Sequence, residues 1–307
     1  MPRRITPIRL AAIPLAAMVA ACAQPSSVRT GPAPVPSGPT KPTAAGHPGF
    51  DTTIYPGDGI MRAWRDASPY EWVGYYLPAP CHRDLSWSGK RDALIAMGWG
   101  TAAIYVGQQD WGQMNRAPAQ QPALDTTTAA QQNPPAQAQP PAQPQTQVQA
   151  APAQCSAANL VAGRGTTDAD DAIARAASEG FPAGSVIYLD VERVQAVSAP
   201  LVAYAREWAQ RVLAEGRYLP GLYVHRLNAA PLTEAMRTAW AGAGRSDAVP
   251  VWVTATDAGF TLDQRPGASG VDATIWQGRL DLNESWGGAT LRIDQNVSTS
   301  RSPSAPR

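Results

Sequence analysis

The sequence predicts an α/β fold, a TIM-like barrel of five βα units followed by three strands. Three observations carry this prediction. Short apolar runs alternate with segments whose apolar residues recur at helical spacing, the pattern of parallel strands joined by crossover helices. Eight such runs can be found between residues 50 and 294, and eight is the number at which a parallel sheet closes on itself. After the fifth unit the helical spacing stops, and strand-like runs follow one another through Gly-rich loops. A chain of 307 residues, 44% hydrophobic, can bury the core of one such domain.

Residues 50–53 read as the first strand and 72–77 as the second. Residues 88–97 predict the next helix, with Leu94, Ile95 and Met97 on its apolar face, and 101–107 the third strand. Thr167 or Asp168 can cap a helix that runs through Ser178 and stops at Gly180. Residues 186–191 form the fourth strand. Ser198 and Pro200 open a longer helix in which Leu201, Tyr204, Ala205, Trp208 and Val212 share one face, and Gly216 closes it. Residues 219–224 and the helix 231–241 complete the fifth unit, and 249–254, 273–277 and 291–294 supply the last three strands.

Outside the barrel, composition changes. Arg3, Arg4 and Arg9 precede a short apolar run ending at Cys22, so 1–21 reads as a signal peptide of the lipoprotein type. About eleven apolar residues are too few to span a bilayer as a helix. Val19-Ala20-Ala21-Cys22 looks like a bacterial lipobox, which implies cleavage before Cys22 and its acylation with a palmitate-type chain. Residues 22–45 read as a flexible tether, and 117–154, rich in Pro, Ala and Gln, as a disordered insertion within the barrel domain 46–298. The tail, 299–307, is expected to fray. The localisation that follows is an exported, membrane-anchored lipoprotein on the periplasmic or cell-surface side. Export to an oxidising compartment permits a disulfide between the remaining cysteines, Cys81 and Cys155. A formal net charge of +1 without a basic run past the N-terminus argues against nucleic acid as a partner, and the histidines and cysteines show no metal-ligand spacing. No cofactor or metal is expected.

Chemistry points to the strand ends. In Val186-Ile187-Tyr188-Leu189-Asp190-Val191-Glu192 an apolar run ends in two acids two residues apart, which a strand projects from one face. Active sites of such barrels lie at the C-terminal ends of the strands, where Asp51, Asp190, Glu192 and Asp294 all fall. The first and eighth strands of a closed barrel are neighbours, so these four acids are expected to line one cup. Clustered acids raise one another's pKa, which can keep one carboxylic acid protonated while another stays ionised, the requirement of glycosidic bond hydrolysis. Tyr76, Tyr223, Trp252 and Trp276 are the aromatic candidates for contact with sugar rings.

Gly49-Phe50-Asp51, Tyr188-Leu189-Asp190-Val191-Glu192, Val251-Trp252-Val253, Ile275-Trp276-Gln277 and Ile293-Asp294-Gln295-Asn296 resemble, in order, the landmarks of family 25 glycoside hydrolases, the lysozyme-like muramidases. Gly49-Phe50-Asp51-Thr52, Val73-Gly74-Tyr75-Tyr76-Leu77 with Cys81 nearby, Ile104-Tyr105-Val106-Gly107 and the block from Gly180 to Tyr188 are more similar still to the related glycoside-hydrolase-like domain family of unknown function 1906. The resemblance implies that Glu192 donates a proton to the leaving oxygen and that Asp190 acts as nucleophile or stabiliser. It also implies that Asp51 and Asp294 position the sugar. The partner it implies is a cell-wall polysaccharide, peptidoglycan in first place. The alternative is a catalytically inactive glycan-binding barrel of the cell envelope.

Overall fold

The computed structural model describes residues 46–111, 155–257 and 259–307. The expected signal peptide, Cys22, the expected tether and the 117–154 insertion lie outside these described residues. Eight strands close a barrel in chain order: β1 (His47–Asp51), β2 (Trp72–Tyr76), β3 (Gly100–Val106), β4 (Val186–Val191), β5 (Leu219–His225), β6 (Val251–Thr254), β7 (Ile275–Trp286) and β8 (Ala289–Ser298). Strands β1 to β7 run parallel, whereas β8 is antiparallel to both of its neighbours, β7 and β1. Each of the first five strands is followed by a helix: α1 (Asp58–Ala67), α2 (Arg91–Ala96), α3 (Arg164–Ser178), α4 (Ala199–Glu215) and α5 (Arg226–Gly242). This is the α/β barrel with five βα units and three further strands. Among the described residues no helix is long and apolar enough to cross a membrane.

The local causes are visible in α4. The Ser198 hydroxyl accepts the Leu201 N–H at 3.3 Å, and Gly216 ends the helix with φ 85° in the left-handed region. Between them Leu201, Tyr204, Ala205, Trp208, Ala209 and Val212 are buried against the sheet and the neighbouring helices. Helix α5 begins five residues earlier than Pro231 suggests, because the His225 ring accepts the Leu227 N–H (3.2 Å) and caps it at Arg226. Helix α1, which no strong cap marks in the sequence, is fixed by packing: Phe50 of β1 meets Trp64 at 5.1 Å and Tyr70 at 5.2 Å between ring centroids.

Two segments differ from expectation. Strands β7 and β8 run beyond the barrel as a hairpin arm, because their outer halves are covered on one side by α1, where the Trp64 indole N–H donates to the Ala289 carbonyl (3.0 Å). The tail is not frayed. Ser304 is buried under the N-terminal ends of the strands: its N–H donates to Thr101 O (3.0 Å), its hydroxyl donates to Val186 O (2.6 Å), and that hydroxyl oxygen accepts the Ala103 N–H (2.8 Å). Pairing of β3 with β4 begins only at Ala103 and Ile187, and the tail satisfies the backbone groups left open below that point.

Candidate active site

Strand ends bring the acids together. Asp51 closes β1 directly opposite Asp294 of β8 in the antiparallel register. Asp190 lies near the end of β4, opposite Tyr223 of β5, and Glu192 follows one residue past the strand. A cavity of about 320 Å³ opens at this end of the barrel, and Asp190, Glu192, Asp294, Tyr76 and Tyr223 are all in its wall. Beside them stand Arg193, His225, Thr254, Gln277 and Leu280, which reaches across from the hairpin arm with 43% of its surface exposed.

Asp51 does not share that wall. It is 2% exposed and lies beneath the cavity, where all of its contacts are internal. One oxygen accepts the Tyr76 hydroxyl (2.9 Å); the other accepts the amides of Asn296 (2.7 Å) and Gln277 (3.1 Å). The Gln277 amide also donates to Asp294 (3.0 Å) and accepts from Thr254 (2.8 Å), so it ties two acids to one side chain. Asp294 accepts a further bond, from the Asp281 N–H at 2.7 Å. Asp281 has φ 58°, a left-handed conformation rare for a residue with a Cβ, and it sits beside the irregularity in the β7–β8 register. The strained turn thus aims a backbone donor at Asp294. Gly74 makes room beneath: a Cβ there would stand 2.6 Å from that of Asp51 and 2.9 Å from Ile104.

Burial raises every carboxyl of this group, and like charge adds to it at Asp51, Asp190 and Asp294. Asp51 is pushed up to about 8, by burial first and the charge of Asp294 second, against the pull of its three hydrogen bonds. Asp294 rises to about 6, chiefly by burial. Asp190 stands well above the usual carboxylate range, from burial, then from Glu192 and Asp51. Glu192 reaches the solvent of the cavity, yet the protein packed around it also moves its carboxyl upward. The His225 ring is held below its ordinary value by burial and by Arg193 and Arg226, which keeps it neutral near pH 7.

The aromatic candidates divide. Tyr76 and Tyr223 are part of the cavity wall. Trp252 and Trp276 are not, which corrects their expected place as sugar contacts. Both are fully buried, and each indole N–H has an internal acceptor, Asn296 Oδ1 for Trp252 and the Ala255 carbonyl for Trp276, both at 2.9 Å. Trp252 stacks under Tyr223 at 4.3 Å and fills the barrel interior; Trp276 packs edge-on against Phe260 at 4.9 Å. An inward-pointing barrel position and a stacking position on the rim look alike in a sequence, because both are aromatics near a strand end. Gln277 and Asn296 adjoin the site in sequence as well as in space, but their role cannot be read there, since an amide that organises carboxyls has no signature of its own.

Near the rim, Cys81 and Cys155 form a disulfide across a separation of 74 residues, with Cα atoms 5.2 Å apart. A larger groove of about 580 Å³ lies between the β2–α2 loop and α3, but its acids are neutralised in place: Arg164 pairs with Asp168 (2.8 Å) and Arg175 with Asp171 (3.1 Å). With these acids already paired to arginines, the smaller cavity, where Asp190, Glu192 and Asp294 meet without such partners among the described residues, is the candidate for chemistry. Among the described residues no group of His, Cys, Asp and Glu is arranged to hold a metal ion.

No curated protein matches the sequence. Among solved structures the chain is similar to the spore cortex lytic enzyme SleM of Clostridium perfringens, with 10% identity, 86% of this chain and 69% of that one covered, and a TM-score of 0.47. It is also similar to a muramidase from Acremonium alcalophilum (15% identity, 83% and 94% covered, TM-score 0.43). A third similar structure is the Tat-secreted protein Rv2525c of Mycobacterium tuberculosis in complex with L-tartrate (13% identity, 83% and 95% covered, TM-score 0.44). The family described as Rv2525c-like, glycoside hydrolase-like domain, matches residues 62–298, a span that runs from α1 to the end of β8 and takes in Tyr76, Asp190, Glu192 and Asp294. The chain belongs to the Rv2525c-like family of glycoside hydrolase-like domains.

Proposed function

We propose that this barrel hydrolyses glycosidic bonds of a cell-wall polysaccharide, with peptidoglycan as the substrate. The observation that carries the reading is the convergence of Asp190, Glu192 and Asp294 on one small cavity over a buried Asp51, with every carboxyl raised. Hydrolysis of an acetal needs a carboxylic acid that still holds its proton near neutral pH and a neighbouring carboxylate to meet the positive charge that develops on the sugar. Glu192, raised and open to the cavity, suits the proton donor. Asp190, whose backbone is fixed by the sheet, suits the group that attacks or stabilises the charged intermediate once it has given up the proton that burial favours. Ionisation of one member of such a pair holds the other protonated, which is the split the reaction requires. Asp294, oriented by Gln277 and the Asp281 N–H, suits a hydroxyl or acetamido group of the bound sugar. Asp51 acts through Tyr76 and Gln277 and not by contact with substrate.

The sequence of residues 1–22 supports export and lipid attachment at Cys22, which places the barrel at the cell envelope beside its substrate. Incorporation of labelled palmitate, lost in Cys22→Ala, tests the anchor. The function is tested by incubating the protein with purified peptidoglycan and following new reducing ends. Release by the wild type and its abolition by Glu192→Gln is the expected result. Binding without release by both proteins makes the chain a glycan-binding barrel instead.

A further inference from the structure

Strand β4 outlasts its neighbour. The β3–β4 ladder ends with Val106 opposite Asp190, and beyond it the β3 chain turns away at Gly107. A Cβ on Gly107 would lie 2.5 Å from a methyl of Leu189 and 2.6 Å from the Tyr204 hydroxyl, and that hydroxyl accepts the next N–H, of Gln108, at 3.0 Å. The segment carrying both working acids therefore leaves the sheet with the Asp190 carbonyl and the Glu192 N–H unpaired on the β3 side. In a parallel ladder one residue of the neighbouring strand serves both groups, donating its N–H to the carbonyl of residue i−1 and accepting the N–H of residue i+1.

A side chain takes that place. Gln109 is fully buried. Its Nε2 donates to the Asp190 carbonyl at 2.9 Å and to the Gly107 carbonyl at 3.1 Å, and its Oε1 accepts the Glu192 N–H at 2.9 Å. The primary amide copies a backbone peptide group opposite Val191 and continues the ladder one step past the end of β3. The reversed amide would set its oxygen against two carbonyls and its NH₂ against an N–H, so the network admits one orientation.

We propose that Gln109 is a positioning residue for the acid pair: by pairing with the backbone on both sides of Val191 it holds the end of β4 extended, so that Asp190 and Glu192 keep projecting from one face into the cavity. The proposal deepens the hydrolase reading and rests on it only for the consequence in turnover. An extended backbone is what keeps positions 190 and 192 on one side; a twist at 191 would separate their carboxyl groups. A misplacement of about 1 Å between reacting groups costs roughly 100-fold in rate.

The test uses the full chain with Gln109→Met, which keeps the length and loses the hydrogen bonds, and Gln109→Glu at pH 5. A buried, protonated carboxylic acid at position 109 offers one donor and one acceptor in the places of the amide. Amide hydrogen exchange at Glu192 is expected to be as slow in the wild type as at the β4 core amides. It should accelerate about 100-fold or more in Gln109→Met, with Val186 unchanged, and return to within about tenfold of wild type in Gln109→Glu at pH 5. On peptidoglycan, kcat of the Met variant is expected to fall roughly 100-fold with KM unchanged. Unchanged exchange at Glu192 in the Met variant, or a Glu variant as fast as the Met variant, overturns the proposal. If neither variant folds, the wild type alone decides: a Glu192 amide that exchanges like an exposed loop overturns it, and one as slow as the β4 core supports it. If the wild type releases no reducing ends but the exchange behaves as expected, Gln109 holds β4 as stated and the hydrolase reading is the one that fails.

Discussion

Replacing Asp51 by asparagine is expected to make the protein more stable at neutral pH, although it takes an acid out of the heart of the site. The folded-state carboxyl is pushed up from 3.8 to about 8. Between those values the folded chain keeps a proton that the unfolded chain has released, so the stabilisation is complete below about pH 4 and is lost as pH rises toward 8. A single group of this kind costs about 1.4 kcal/mol per pH unit inside that window, or about 3 kcal/mol between pH 5 and pH 7. The side-chain amide introduced by Asp51→Asn has no proton to lose. Its oxygen can keep the bonds from Asn296 and Gln277, and its NH₂ can donate to the Tyr76 hydroxyl, which need only reverse. Urea unfolding of both proteins at pH 5, 6, 7 and 8, followed by tryptophan fluorescence, should give curves that converge toward pH 4 and separate by about 4 kcal/mol at pH 7, at equal m values. Asp294, raised to about 6, adds a loss of the same sign over the narrower window between pH 4 and 6 in both proteins. Parallel curves for wild type and Asp51→Asn, or a wild type whose stability is flat from pH 5 to pH 7, would refute the reasoning.

Three further outcomes are expected. Ser304→Ala should lower stability by about 2 kcal/mol in thermal melts, because the Ala103 N–H and the Val186 carbonyl lose a partner inside the barrel base, and removal of 299–307 should cost more than the single change. Replacing Cys81 and Cys155 together by Ser should cost about 4 kcal/mol in urea unfolding on the chain-entropy account of a loop of 74 residues, with no further loss on adding reductant. Gly74→Ala should depress turnover more than stability, since its Cβ pushes on Asp51 from 2.6 Å and tilts the acid that holds Tyr76 and Gln277; kcat on peptidoglycan measured beside the melting temperature checks this.

The architecture is legible in the sequence because strands buried on both faces leave uninterrupted apolar runs, as in β2 and β4, and because Ser198 and Gly216 bracket α4 with chemistry that only helix ends require. The acids are legible for a related reason. A carboxyl that ends an apolar strand stands out, and closure of the barrel dictates that β1 and β8 meet. Depth is not legible. Asp51 and Asp294 occupy the same register, yet one is buried under the floor and the other is part of the wall, a difference set by the hairpin arm and by Gln277. Trp252 and Trp276 mislead for the same reason. The docked tail has no signature because a few serines and prolines carry no periodicity; what they supply is backbone pairing for β3 and β4. Gln109 is invisible because its role depends on where β3 leaves the sheet.

Four carboxyl groups sharing one electrostatic environment at the barrel mouth are the foundation of the proposed chemistry. Titration of the Asp and Glu side-chain carbons by ¹³C NMR reads this directly, residue by residue. The predicted result is that Asp51, Asp190, Glu192 and Asp294 all titrate above the usual carboxylate range, with Asp294 near 6 and Asp51 near 8, and that Asp51→Asn moves Asp190 downward. Four independent titrations close to pH 4, unmoved by the substitution, would contradict it.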